Sequence, residues 1–326
     1  MTARVSVALC TYNGERFIEQ QLRSILDQVP APYEIVVSDD GSTDGTLEIV
    51  RAVLREWAGA TKTTLLVNET PRGVTGNFEQ AMLACGGDVI ALSDQDDVWV
   101  PGRLARILPV FDDENVLLVA SNAQLISAQG HPLDHTLFDA LELSSATIAR
   151  LNSPSAYAAL LPRNLLTGAT MVVRRSLVEA SVPFPAVWVH DEWLAITAAL
   201  RGRLLVLPDS LVLYRQHGGN QIGAVRLTVR QKLGRLLEPR GQRYDYLAAR
   251  SQTLLERAPA LVANAAHSAE KLAALENKSE HQRIRQALPA ARIRRVGPVV
   301  REWRTGRYGR FSRGAADIAR DLLQPR

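Results

Sequence analysis

The chain has 326 residues, 46% hydrophobic and 22% charged, which excludes a disordered polymer and leaves room for one large domain or two smaller ones. It holds no run of 18 apolar residues, its opening MTARVSVALCTYNGE lacks the apolar region of a secretory leader, and its two cysteines, Cys10 and Cys85, are too few for a disulfide framework. The expectation is a cytoplasmic protein with both thiols in the core, and the net charge of +4 hides an asymmetry: residues 1–225 carry 16 Lys and Arg against 25 Asp and Glu, residues 226–326 carry 22 against 9.

In chain order, RVSVALC (4–10), YEIVVSD (33–39), TTLLV (63–67) and DVIALS (88–93) read as strands. Segments 14–29, 44–57 and 75–85 between them read as helices, with Phe17, Leu22, Ile25 and Leu26 near helical spacing in the first. Such alternation predicts an α/β fold with a mainly parallel sheet covered on both faces, whose ligands sit beyond the carboxyl ends of the strands. The stretches that follow the strands are TYNGE (11–15), DDGSTDGT (39–46), NETPRGVTGN (68–77) and DQDDVW (94–99), a set of polar, acidic and glycine residues. Neither GxxxxGK[ST] nor a GxGxxG after a strand is present, so a P-loop and a dinucleotide fingerprint both fit poorly.

Farther along, 115–126 reads as a strand, 165–178 as a loop feeding a strand, 191–202 as a helix with Asp191 in cap position, 203–209 as a strand and 214–224 as a loop. Helical patterns follow over 226–237, 244–258 and 269–288, then an arginine-rich stretch over 292–323. The expected division is a first domain over 1–225 and a basic helical extension over 226–326.

Asp94, Asp96 and Asp97 place three carboxylates within four positions, where they repel unless a cation neutralises them. Mg²⁺ or Mn²⁺ takes oxygen ligands and keeps places for substrate phosphates, which suits a reaction that releases a nucleoside diphosphate. A solvated acidic turn is the plainer alternative. Asp40 could accept a hydrogen bond from a base or a ribose, although DDGSTDGT equally describes an Asx turn leading to a helix N-cap.

VSVALCTYNGERFIEQQLRSILDQ, YEIVVSDDGSTDGT, GNFEQAM and ALSDQDDVWVPGRL, in that order, resemble the family-2 inverting glycosyltransferases with the GT-A fold, and DQDDVW the rhamnosyltransferase-like branch that builds bacterial cell-surface polysaccharides. The resemblance covers about residues 4–224. It implies transfer from a nucleoside-diphosphate sugar, with dTDP-rhamnose the first donor to consider, to a glycan or lipid-linked hydroxyl. By residue it implies Thr11, Tyr12, Glu15, Asp40, Asp96 and Arg215 at the nucleotide sugar; Asp97, with Asp96 and His217, on the metal; and a loop-shaping Asp94. Asp191 would be the general base, with Glu192 competing and His190 standing where many relatives carry a carboxylate. TGAT, with Gly168, Ala169 and Thr170, would meet the acceptor together with Glu192.

The basic tail, with Trp303, Tyr308 and Phe311 among its arginines, suits an anionic membrane surface or solvated helices, and carries no nucleic-acid motif. Three rivals stand beside this reading: a haloacid-dehalogenase-like phosphatase, which lacks its lysine because none occurs between Lys62 and Lys232; a sugar-phosphate nucleotidyltransferase, whose Gly-rich basic loop TYNGERF does not match; and a non-catalytic carbohydrate-binding protein on the same fold.

Overall fold

The computed structural model describes residues 3–57, 59, 61–218, 239–263 and 265–325. The first half follows from apolar strands buried on both faces. β1 (Val5–Thr11), β2 (Glu34–Asp39), β3 (Lys62–Val67) and β4 (Val89–Ser93) pair in parallel in the order β3-β2-β1-β4. Along β1, Val5, Val7 and Leu9 face one core with Ile18, Leu22 and Ile25 of α1 (Ile18–Leu26) and Val50 and Val53 of α2 (Thr46–Glu56). Ala8 and Cys10 face the opposite core with Phe78, Ala81 and Met82 of α3 (Gly73–Ala84). Both cysteines are buried and free.

Beyond β4 the sheet is mixed, short antiparallel pairings joining longer parallel ladders, so the sheet as a whole stays mainly parallel as the alternation suggests. β5 (Val98–Trp99), β6 (Val116–Ser127), β7 (Pro132–Thr136), β8 (Met171–Arg174) and β9 (Arg203–Gln216) complete nine strands, ordered β4-β8-β6-β9-β5 with β7 on β6. β8 is antiparallel to β4 in the register Ala91↔Val172 and Val89↔Arg174, so it begins beside the end of β4. The chain reaches it through the 3₁₀ turn Gly168–Thr170 at the ligand edge of the sheet, and a strand entered from that edge must run backwards. β9 is twice as long as the segment 203–209 suggests, and its last turnward residues pair Tyr214 with Leu125 and Gln216 with Ser127.

Short helices fill the connections: α4 (Arg103–Ile107), α5 (Leu137–Ala140), α6 (Ser145–Leu151), α7 (Ala156–Leu160) and α8 (Arg175–Ser181), before the longer α9 (His190–Arg201). The C-terminal part contributes α10 (Arg243–Val262), α11 (Ser268–Gln286), α12 (Arg292–Arg304), α13 (Arg307–Phe311) and α14 (Ala315–Leu323). Leu254, Ala258, Leu261, Leu275 and Phe311 from these helices are buried in the same cluster as Trp193 and Leu194 of α9, so the basic part shares a core with the acidic one. The boundary near residue 225, the helix read over 226–237 and positions 219–224 of the loop lie outside the described residues.

Many of the tail's cations are structural. Asp321 accepts from Arg285 Nε at 2.7 Å, Tyr244 Oη at 2.6 Å and Tyr308 Oη at 2.6 Å, all buried. Tyr308 and Phe311, expected at a lipid surface, are only 2% and 5% exposed, whereas Trp303 is 58% exposed. The correction follows from packing: Tyr308 and Phe311 sit on the inner face of a short helix closed over α11. Among the described residues no helix is long and apolar enough to cross a membrane.

Removing one partner of a buried charge network strands the others. Asp321→Ala is expected to lower unfolding free energy by about 3–5 kcal/mol, read by urea titration; a loss below about 1 kcal/mol would show that the network is dispensable.

Candidate functional site

The acidic loop is held from both sides. Gln95 accepts from Tyr12 N at 2.8 Å and donates Nε2 to Tyr12 O at 2.9 Å, which ties the loop after β4 to the loop after β1. A Cβ at Gly14 would overlap that amide, so a larger residue there would push the Gln95 side chain out of this tie. On the other side the antiparallel pairs Val98↔Leu213 and Trp99↔Val212 fasten β5 to β9 and bring Asp96 and Asp97 beside Arg215 and His217. Asp97 is 1% exposed; its Oδ1 accepts Arg215 N at 2.9 Å, and its Oδ2 has no hydrogen-bond partner among the described residues. His217 Nε2 lies 2.7 Å from Asp96 Oδ2.

These carboxylates share one electrostatic field. Burial first, then the charges of Asp96 and Asp191, push Asp94 up to about 7. Burial, then Asp96 and Asp94, raise Asp97 well above the usual carboxylate range, against the opposing Arg215 amide and Arg103 charge. The buried phenol of Tyr214 is pushed above its ordinary range by burial and then by Asp97, Asp94, Asp96 and Asp191. A divalent ion suits this donor set: Asp97 Oδ2 is a buried oxygen with nothing to accept from, and neighbouring charges of one sign favour a cation. Among the described residues no three His, Cys, Asp or Glu converge into a cage, so the fit is to an ion completed by substrate oxygens.

Across the crevice edge stands Asp191. Val189 is the N-cap of α9 and Asp191 the second helical residue, two positions past the cap position the sequence suggests for it, because the extended backbone ends at Val189. Its Oδ2 accepts Gly168 N at 3.1 Å and its Oδ1 accepts Glu192 N at 2.6 Å. Burial is the largest influence on it and lifts it to about 6, against those backbone donors and the Arg250 charge. His190 stacks on Phe78 with ring centroids 4.0 Å apart, and burial lowers it to about 3, so it is a neutral imidazole.

The remaining sequence candidates fall into groups. Tyr12 is 50% exposed at the crevice, while Thr11 is buried and donates to Asp39 at 2.8 Å. Glu15 uses one carboxylate oxygen on Gly45 N at 2.8 Å, before α2. In DDGSTDGT the Asx turn belongs to Asp39, whose Oδ1 accepts Gly41 N at 3.1 Å and Ser42 N at 2.8 Å, with Gly41 at the left-handed φ of 83°. Asp40 accepts Asn68 Nδ2 at 3.0 Å, Arg72 N at 2.7 Å and Gly73 N at 2.9 Å, which leaves about one of a carboxylate's roughly four acceptor positions.

Three expectations are corrected. Arg215, expected on a phosphate, is 2% exposed and gives Nε to Asp96 O at 2.7 Å and Nη2 to Gln20 Oε1 at 2.8 Å; it braces the acidic loop from behind. Ala169 and Thr170, expected at an acceptor, are buried, Ala169 in the sheet core and Thr170 bonded to Thr167 O at 2.8 Å. Gly168 is buried against His190 and Asp191, so this loop positions a carboxylate. Glu192 is ion-paired with Arg250. The sequence reading missed Tyr214 and Arg103, the latter fully buried with its guanidinium 4.1 Å from the Trp99 ring centroid. Tyr214 opens the segment 214–224 and Arg103 lies in the motif ALSDQDDVWVPGRL, but neither carried a role, since only the third dimension puts them behind the acidic loop.

Residues 6–178 match the profile described as Glycosyl transferase family 2. An uncharacterized glycosyltransferase of Nostoc sp. is 28% identical over 220 residues, 67% of this chain and 66% of that protein, so the chain spans just under two thirds of that relative's length. A dTDP-rhamnosyl transferase of Shigella flexneri is 26% identical over 226 residues, covering 66% of this chain and 74% of the relative. A solved mannosyltransferase of Pyrobaculum calidifontis, in complex with GDP-Man and Mn²⁺, superposes with a TM-score of 0.54 at 19% identity, over 94% of this chain and 76% of that one. That likeness is one of fold, the GT-A fold.

Titration of the Asp191 carboxyl, followed by carbon NMR, is expected to show a midpoint near 6. A midpoint in the ordinary Asp range of roughly 4 would mean that the carboxylate is solvated in solution.

Proposed function

The chain belongs to glycosyl transferase family 2, and from that premise we propose that it transfers a sugar from a nucleoside-diphosphate donor to an acceptor hydroxyl with inversion at the anomeric carbon. The observation that carries the reading is the shared field of Asp191 and Asp94: a buried carboxylate of raised basicity faces the acidic cluster at the ligand edge of the sheet. A sugar hydroxyl is a weak nucleophile, and removal of its proton during attack contributes roughly 10²–10⁴-fold. Asp191 takes that proton. Its Gly168 and Glu192 amide donors fix the carboxylate, and burial keeps it more basic than an exposed Asp.

On the donor side, Asp97 and Asp96 would hold Mg²⁺ or Mn²⁺, which when bound supplies positive charge to the departing diphosphate. His217 can join them through Nε2 by giving up Asp96. Tyr12 offers its exposed ring to the base, and Thr11, Glu15 and Asp40 shape the walls of that pocket. The first donor to test is dTDP-rhamnose, for which the Shigella flexneri relative is named, with a glycan or lipid-linked acceptor. In this reading residues 1–225 form the transferase domain and 226–326 its extension.

Asp191→Asn is expected to lower transfer by about 10²–10⁴-fold and to leave nucleoside-diphosphate affinity within about twofold, whereas Asp97→Ala removes metal-dependent nucleotide binding. A base must be deprotonated to act, so kcat should rise through about pH 6 and level above it. Calorimetry and a diphosphate-release assay separate the two variants; loss of nucleotide affinity in Asp191→Asn would contradict the division of roles.

Peripheral docking on an anionic bilayer belongs to the same proposal, moved to one helix face. On α12, Ile293, Val296, Val300 and Trp303 are exposed and fall within about 80° of arc at 100° per residue. Arg292 and Arg304 border that arc, while Arg295, Val299 and Glu302 face inward. Apolar residues between arginines match a headgroup boundary of negative lipid. Vesicles of phosphatidylglycerol should sediment the protein, and Val300→Glu with Trp303→Glu should cut that at least tenfold; equal sedimentation by neutral phosphatidylcholine vesicles would remove the electrostatic part of the claim.

A further inference from the structure

A cavity of about 350 Å³ opens between α7, α9, α10 and α11, within the size range of small-molecule sites. Its lining includes Arg163, Arg243, Arg250, Lys278 and Arg313, and its only carboxylate among the described residues is Glu192. Five cations against one acid is the reverse of the neighbouring crevice.

Two of these side chains are held by backbone carbonyls and a third by one acid and two aromatic rings. Arg250 pairs with Glu192, and its guanidinium lies 4.0 Å from the Trp188 ring centroid and 5.4 Å from that of Tyr246. Arg163 donates Nη2 to Leu141 O at 2.8 Å, and Lys278 donates Nζ to Phe311 O at 2.6 Å. Two acids outside the lining act on the group, Glu142 on Arg163 and Asp317 on Arg243 and Lys278, and Asp317 is already held by Arg285 and Arg320. Burial, then the charges of Arg285 and Arg250, pull Lys278 down to about 7, and burial followed by Arg313 lowers Arg163. Like charges set this close in a partly desolvated cleft are stabilised when a mobile anion enters. Guanidinium forks match phosphate oxygens in geometry as well as in charge.

Position gives the anion a role. Glu192 follows Asp191 on α9, and the Arg250 charge acts on the Asp191 carboxylate as well as on Glu192. A molecule anchored here therefore lies next to the residue that accepts the proton. We propose that this cavity binds the phosphate or diphosphate group of the acceptor, with the C-terminal helices α10 and α11 supplying the clamp. The word acceptor rests on the transferase reading; the binding of a phosphate-bearing ligand does not.

The test is calorimetric titration of inorganic pyrophosphate into the full chain with EDTA present, so that metal-dependent binding in the acidic crevice is silent. Wild type should bind, Arg250→Gln and Arg313→Gln should each weaken binding at least fivefold, and Asp97→Ala should leave it within twofold. Arg313 is exposed, so its variant tests the cavity without a folding penalty. Absence of pyrophosphate binding, or equal affinity in all variants, overturns the proposal. Two further ligands separate the sources of the phosphate: a sugar 1-phosphate alone and a short-chain lipid diphosphate sugar. Binding of either that depends on Arg250 and Arg313 supports the site, and the tighter one names the source. Should transfer fail with every donor while this dependence persists, the transferase reading falls and the anion site stands.

Discussion

Four carboxylates converge on one edge of the sheet, and much of the molecule is arranged to tolerate them. Two unit charges about 6 Å apart repel by roughly 3 kcal/mol at an effective dielectric of 20, more than a typical net hydrogen bond of about 1 kcal/mol returns. One contact is therefore insufficient, and the loop is restrained several times over. Gln95 ties it to the first loop, β5 pins it to β9, the Arg215 amide bonds Asp97, and the Arg103 charge lies behind. The same constraint explains why the buried Asp97 oxygen lacks a partner among the described residues: the arrangement suits a positive charge.

The opposite sign is treated in the opposite way on the C-terminal side. The excess of arginine and lysine there divides into three populations. Arg285 and Arg295 are buried and bond to Asp321 or to backbone carbonyls, which makes them part of the fold. A second group surrounds the cavity beside α9, and a third borders the exposed apolar face of α12. Net charge alone would merge these, although each solves a different desolvation problem. Because α10, α11 and α13 share a core with α9, the basic part is positioned relative to Asp191 by packing rather than by a tether.

The N-terminal half was legible because its signals are local. The short apolar, β-branched runs of β1, β2 and β4 needed only residue type, and the stretches after the strands needed only the rule that ligands gather at the carboxyl edge. Asp191 was legible as a candidate from its place at a helix start, even though its helical position differs by two. The second half resisted for a physical reason. β5 is two residues long and exists by pairing with a strand over a hundred positions away, and β8 reverses because of where its turn delivers it.

The sequence by itself determined the strand and helix alternation, the acidic character of the crevice edge and the sign of each half, all of which depend on residue type and near neighbours. Only the tertiary structure decided which side chains are buried behind the crevice and which are open to it. Arg215 is a brace, the TGAT loop orients a carboxylate, and Tyr308 lies inside, because burial depends on what distant segments place on top of a residue. Basicity was decided there too: Asp191 and Asp94 are ordinary in composition and become unusual through the desolvation that folding brings, joined at Asp94 by like charges.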